Sequence, residues 1–177
     1  MRLSVRHFFS VFSVVKTTMR TGIGYDIHKL VPGRQLILAG FAIPFEKGLL
    51  GHSDADVLIH ALCDALLGAA GLGDIGIYFP DTDEQFKDIS STKILVKTCE
   101  MLKQKGFTVK NIDSIIFAQA PKISPYREKM QKNIAQIMEI EPDLINIKAT
   151  TTEGLGAIGK EQAIAAMCTV LLMENKC

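Results

Sequence analysis

No excess of either charge marks this sequence: Lys and Arg number 20 against 19 Asp and Glu, a net charge of +1. A chain that grips nucleic acid carries a basic surplus, so that class is excluded, and any phosphate chemistry must come from a local site. Cysteine is sparse as well. Cys63, Cys99, Cys168 and Cys177 form no C-x-x-C pair and stand at no zinc-finger spacing from a histidine, which leaves reduced, buried thiols in a reducing compartment. No apolar run approaches the roughly 20 residues that span a bilayer, so no membrane partner is expected. Internal repeats, low-complexity tracts and long linkers are all missing. What remains is ordinary globular composition, 47% hydrophobic and 22% charged over 177 residues, enough for one domain with a real core.

Acids are absent from the first 25 residues, and residues 1–18 carry Arg2, Arg6, His7 and Lys16 among serines and threonines. This basic, hydroxylated composition suits a transit segment, but the apolar stretch is short, no A-x-A site follows, and Met19 offers an alternative start. The reading is an N-terminal extension, either a transit segment or a mis-assigned start, followed by a single domain over 19–177. The compartment follows from the same choice: cytoplasm in a bacterium, or a plastid if residues 1–18 are a transit segment.

Along the domain, residues 21–27 read as extended and residues 35–45 as a strand or hairpin arm. Ser53 is placed to cap a helix whose first turn holds Asp54 and Asp56, and which ends near Gly71 and Gly73. Residues 73–89 form a loop, long enough to suggest function. Ser91 is placed to cap a second helix ending at Gly106, and Ser124 and Pro125 begin a third whose inner face holds Met130, Ile134, Ile137 and Met138. Residues 112–118 and 145–150 read as strands, residues 151–160 as a glycine-rich loop, and residues 162–173 fit strand or helix equally. Strands alternating with helices give an α/β fold, with helices covering one or both faces of a small sheet.

Three constellations carry chemistry. Asp26 and His28 stand two apart on an extended segment and share a face. Alone, they read as a surface pair on an edge strand. His60 changes this, because its helix is apolar nearly all round and therefore buried, and a buried imidazole needs a partner. Asp26, His28 and His60 would make an open three-ligand set for zinc, with Asp56 or Asp64 as outer groups that fix an imidazole tautomer. Thr150, Thr151 and Thr152, with the glycines beyond them, either cradle phosphate oxygens or simply end a strand, and Glu153 either holds a hard cation or is solvated. Residues 118–122 end a strand in small residues and a proline, leaving main-chain groups free to read the edge of a base.

Five segments in series carry a resemblance: GYDIH (24–28), IPFEKGLLGHSDADVLIHAL (43–62), GDIGIYFPDTD (73–83), AQAPK (118–122) and KATTTEGLG (148–156). Together they resemble the 2-C-methyl-D-erythritol 2,4-cyclodiphosphate synthase family over about residues 20–175, with the family start near Met19. The resemblance implies an α+β fold with a mixed or antiparallel sheet, helices on one side, a strand over 162–173, and a homotrimer with active sites between subunits. It implies zinc, one per subunit, on Asp26, His28 and His60, and magnesium or manganese held by Glu153 with the substrate diphosphate. His52 and Thr151 match transition-state stabilisers. Asp26, Ile27, His28, His52, Ser53, Asp74, Ile75, Gly76, Phe79, Pro80, Asp81, Thr82 and Asp83 match the sugar-phosphate side. Ala118, Gln119, Ala120, Pro121, Lys122, Ile123 and Ser124, with Thr150, Thr151, Thr152 and Glu153 of the neighbouring subunit, match the cytidine and diphosphate side.

The implied substrate is a small cytidine diphosphate ester, closed to a cyclic diphosphate with loss of CMP in the non-mevalonate isoprenoid pathway. Three positions depart from the family. Ser124 replaces a larger apolar residue, Ala157 an aromatic, and Lys160 an arginine. The last two bear on a central trimer cavity that binds isoprenoid diphosphates in some members, so that accessory role is open here.

Overall fold

A computed structural model describes residues 18–175; the expectations for residues 1–17 and for Cys177 lie outside these. The frame is a five-stranded mixed sheet in the order β4-β1-β7-β5-β6, built from β1 (Met19–Pro32), β4 (Lys47–Leu50), β5 (Phe107–Phe117), β6 (Ile145–Thr150) and β7 (Ala163–Glu174). Only the β5–β6 pair is parallel. A small hairpin, β2 (Leu36–Leu38) and β3 (Phe41–Ile43), stands apart from it. All three long helices pack on one face: α1 (Val57–Ala70) crosses β1 and β7, α3 (Ser91–Gln104) lies beside α1 and over β5, and α4 (Arg127–Met138) covers β6. Two single-turn helices, α2 (Ile75–Tyr78) and α5 (Gly156–Gly159), interrupt the stretches expected as loops. The strand implied over 162–173 is β7.

Period-two alternation divides β1 sharply. Its even positions, Gly22, Gly24, Asp26, His28 and Leu30, lie toward α1. Its odd positions face away from the helices, and Met19 (62%), Ile23 (65%), Tyr25 (49%) and Ile27 (44%) are exposed there. Such a run of large apolar side chains on one strand face is more than scattered surface exposure.

α1 meets β1 almost backbone to backbone. A Cβ built on Gly24 would stand 2.0 Å from the Ala61 carbonyl oxygen, and one on Gly22 would stand 2.0 Å from that of Ala65. Glycine is therefore required at both positions by close approach rather than by a special φ. Ala61, Ala65 and Ala69 present the matching seam on the helix, all buried.

All three expected helix starts are displaced. The cap of α1 is Asp56, not Ser53: its Oδ1 accepts from the Leu58 and Ile59 N–H groups at 3.2 and 3.1 Å. Ser53 cannot cap because Ala55 takes a left-handed φ of 58°, which breaks the helical path before Asp56. Asp56 Oδ2 also accepts from Gly40 N at 2.6 Å, which ties the hairpin turn to the helix. Burial pushes the Asp56 carboxyl up to about 6 against the pull of these N–H donors. Ser91 is the first residue inside α3, and the carboxylate that receives its N–H is Asp54, from a different segment. Ser124 and Pro125 form a 3₁₀ turn that leads into α4, where Met130, Ile134, Ala135 and Met138 are buried and Ile137 is partly so.

Overpacking a core normally costs 1–3 kcal/mol, and here the obstacle is a carbonyl that cannot rotate away. Gly24→Ala is expected to destabilise the protein by about 3 kcal/mol or more and to weaken divalent-metal binding in whatever fraction folds. Urea unfolding and a metal titration on the same variant measure both effects.

Candidate metal centre

Asp26 and His28 project from β1 beneath α1, and the glycine seam lowers His60 onto them. His60 Nδ1 lies 2.9 Å from Asp26 Oδ2, and His28 Nε2 lies 3.1 Å from the same oxygen. The two ring nitrogens stand 3.4 Å apart, with the rings edge to face at 68°. Gly51 makes room for His28, since a Cβ there would come within 3.1 Å of the ring.

The donor set fits a tetrahedral ion. Ligand atoms about 2.0–2.1 Å from such an ion stand roughly 3.3 Å from one another, close to the separations seen. Two imidazoles and one carboxylate leave the fourth position open toward a cavity of about 400 Å³. Burial pushes the Asp26 carboxyl up, but hydrogen bonds and charge from His28 and His60 outweigh it and hold the group well below the usual carboxylate range. Burial pulls His60 down, yet its hydrogen bond to Asp26 and the charges of Asp26, Asp56 and Asp54 leave its pKa raised.

The outer groups differ from those expected. Asp56 is consumed by three backbone N–H groups, and Asp64 Oδ1 accepts from Ile75 N at 2.9 Å. Neither carboxylate hydrogen-bonds an imidazole. His60 Nε2 instead faces the hydroxyls of Ser91 and Ser53, at 2.9 and 3.2 Å. Ser91 carried no signal as a site residue, because only the docking of α3 against the 52–56 segment brings it to His60.

The cavity beside the three donors is lined by His52, Ser53, Ile75, Gly76, Phe79, Pro80 and Asp81, with Phe86, Ile89 and Ile94 closing its apolar side. His52 Nε2 is buried without a hydrogen-bond partner among the described residues. Asp74 and Asp83 are used locally, accepting from Ile77 N and Gln85 N, and neither they nor Thr82 line the cavity. Phe79 stacks edge to face on Phe86 and fixes the loop that carries Pro80 and Asp81.

The second constellation lies at the same end of the sheet. Register places Ile27 beside Ala165, Ala165 beside Phe117, and Phe117 beside Thr150. Three strand spacings put Thr150 about 14 Å from Ile27. A separate cavity of about 380 Å³ is lined there by Ala118, Gln119, Pro121, Lys122, Ile123, Ser124, Thr150 and Thr151, and no residue lines both cavities. Ala120 precedes Pro121 through a cis peptide bond. Glu153 takes a left-handed φ of 52° in the turn beyond β6 and accepts the Thr151 hydroxyl at 2.5 Å; Thr152 turns away and donates to the Leu155 carbonyl. Ala157 and Lys160 line a third, larger cavity of about 590 Å³ with Ile27, Lys29, Lys47 and Glu161. It is larger than the metal-side cavity but lacks a convergent donor set.

A family model described as the YgbB family matches residues 19–173. The 2-C-methyl-D-erythritol 2,4-cyclodiphosphate synthase of Desulfosudis oleivorans is 58% identical over 158 residues, covering 89% of this chain and 94% of that protein. That of Pelotomaculum thermopropionicum is 58% identical over 157 residues, covering 89% and 97%. Among solved structures, the bifunctional IspDF from Campylobacter jejuni matches with a TM-score of 0.87 and 44% identity, over 90% of this chain but only 43% of that one. A Plasmodium falciparum IspF in complex with CDP matches with a TM-score of 0.79 and 35% identity, over 89% of this chain and 97% of that one.

Removing one of three donors should cripple the centre. His60→Ala is expected to lower zinc affinity by more than the roughly hundredfold that loss of an outer-shell contact can cost. One zinc per chain retained by the dialysed variant, measured by elemental analysis, would refute the assignment.

Proposed function

This chain belongs to the YgbB family, and from that premise we propose that it is a phosphorus–oxygen lyase. It converts 4-diphosphocytidyl-2-C-methyl-D-erythritol 2-phosphate to 2-C-methyl-D-erythritol 2,4-cyclodiphosphate and CMP, supplying the non-mevalonate route to isoprenoids. The observation that carries this reading is the convergence of Asp26, His28 and His60 beside a cavity into which His52 brings an unpartnered ring nitrogen.

The reaction is an intramolecular phosphoryl transfer. An oxygen of the 2-phosphate, already anionic, attacks the β-phosphorus; the bond from that phosphorus to the bridging oxygen breaks, and CMP leaves with the electron pair. No general base is needed, which agrees with a site built from donors and hydroxyls. Asp26, His28 and His60 would hold a zinc ion, which would supply Lewis-acid polarisation of the β-phosphate, and Glu153 would help hold magnesium or manganese, which would supply neutralisation of diphosphate charge.

The protein residues orient and exclude. His52 Nε2 is positioned to hydrogen-bond a phosphate oxygen in place of water, and Ser53, with the backbone N–H of Gly76, holds the sugar phosphate against the side chain of Ile75. Phe79, Pro80 and Asp81 close over the erythritol chain and keep it folded for in-line attack. Main-chain groups at Ala118, Gln119, Ala120, Pro121 and Lys122 read the cytosine edge. The Thr151 hydroxyl, presented by the strained turn at Glu153, would turn from that carboxylate to bind the phosphate of the departing CMP.

The working unit is a homotrimer whose sites join the metal half of one subunit to the cytidine half of its neighbour. Two features support this: the apolar outer face of β1, and the separation of the two half-sites into cavities with no common residue. No described helix is long and apolar enough to cross a membrane.

Phosphorus NMR of the purified chain incubated with the diphosphocytidyl substrate should show the cyclic diphosphate and CMP, with turnover lost on chelation. Linear monophosphates in place of the cyclic product would refute the cyclase reading. Glu153→Gln keeps the shape and removes the charge, so it should leave zinc content unchanged while lowering turnover sharply. Mixed and reassembled with His60→Ala, it should recover activity, because one interface of a mixed trimer then holds two intact halves. Mixed trimers confirmed by mass spectrometry yet inactive would place both halves on one chain.

A further inference from the structure

We infer that Asp54 and Ser91 set the tautomer of His60, so that its Nδ1 is free for a metal; this rests on the metal reading above. A ligating imidazole nitrogen must carry no hydrogen, so the hydrogen has to reside on the other nitrogen, where something must accept it. His60 Nδ1 faces Asp26 and His28, which leaves Nε2 as the nitrogen that must donate.

The direction of each hydrogen bond follows from what the next group can do. Ser91 Oγ is 2.9 Å from His60 Nε2 and also makes a short contact with Asp54 Oδ1. A carboxylate only accepts, so the Ser91 hydroxyl hydrogen points to Asp54 and a lone pair of its oxygen remains for Nε2–H. The chain therefore runs one way, from imidazole N–H to hydroxyl to carboxylate. Ser53 Oγ, at 3.2 Å, is the longer contact and already accepts the Ala55 N–H.

The relay is anchored at its far end. Asp54 Oδ2 accepts from Ser91 N at 2.9 Å, its Oδ1 accepts from Asp56 N at 3.3 Å, and its own N–H donates to the Ile89 carbonyl at 3.2 Å. Ser91 is fully buried at the start of α3. The His60 ring is thus held to a second helix by hydrogen bonds as well as by its own backbone.

Asp54 also serves the N-terminus of α3, so the test must separate relay from capping. Ser91→Ala retains the N–H to Asp54 and deletes only the hydroxyl. Ser91→Cys keeps the shape but offers a weak acceptor. Zinc affinity of the full chain, measured by competition with a chromophoric chelator, should fall about tenfold in Ser91→Ala and in the same direction in Ser91→Cys, while the metal-free melting temperature stays near that of the parent. Asp54→Asn should weaken zinc as well, and the double variant should lose no more than the worse single one, because the two groups act in series. Affinity of Ser91→Ala within about twofold of the parent, or additive losses in the double variant, would overturn the relay. Absence of zinc uptake by the parent chain would overturn the metal reading itself.

Discussion

The whole site hangs on the contact between strand β1 and helix α1. Two glycines on the strand meet two alanine carbonyls on the helix, with no room for a Cβ between them. Helices ordinarily pack on sheets through side chains that can change rotamer. Here the spacing is set by peptide units, and the vertical distance between His60 and the Asp26–His28 pair is set with it. Each of these three residues would be unremarkable at ordinary helix–sheet spacing; at this spacing their donor atoms converge.

Bringing so much polarity under a buried helix requires that each charged group be satisfied. The segment 52–56 does this economically. Asp56 receives the helix N-terminus and the hairpin turn, Asp54 receives the N-terminus of the next helix, and Ser53 receives the turn between them. Asn133 donates to the Ala39 carbonyl, so the same hairpin turn is held from α4 as well. The metal side of the cavity is therefore surrounded by hydrogen bonds whose partners lie on four different elements, a device for positioning as much as for stability.

Much of this was legible in the sequence, for physical reasons that differ by residue. Alternation placed Asp26 and His28 on one face, and the all-round apolarity of the 57–70 helix marked His60 as buried. The strand over 163–174 was ambiguous by period because both its faces are apolar, so the family resemblance decided it. The cap of the 57–70 helix lies three residues beyond Ser53 because Ala55 adopts a left-handed conformation, which an alanine gives no warning of. Asp56 and Asp64 were natural candidates for outer groups, being one turn either side of His60, but backbone N–H groups claimed them first. Ser91 and Asp54 lie 37 residues apart and meet only through the docking of α3 against the 52–56 segment, a long-range fact that no local pattern encodes. The glycine seam was visible as two glycines in an extended segment, but the alanines that answer it lie on another element.

The period of two along β1 has a consequence beyond the site. The strand presents ligands to one side and large apolar side chains to the other, from alternate residues of a single run. A slip of one residue against β7 would exchange the two sets, carrying Asp26 and His28 onto the apolar face and Ile27 under the helix. Whatever covers that face bears on the same peptide units that hold the donors, with no intervening layer to absorb a displacement. The apolar face and the donor set are thus two readings of one register, and an error in either is felt directly by the other.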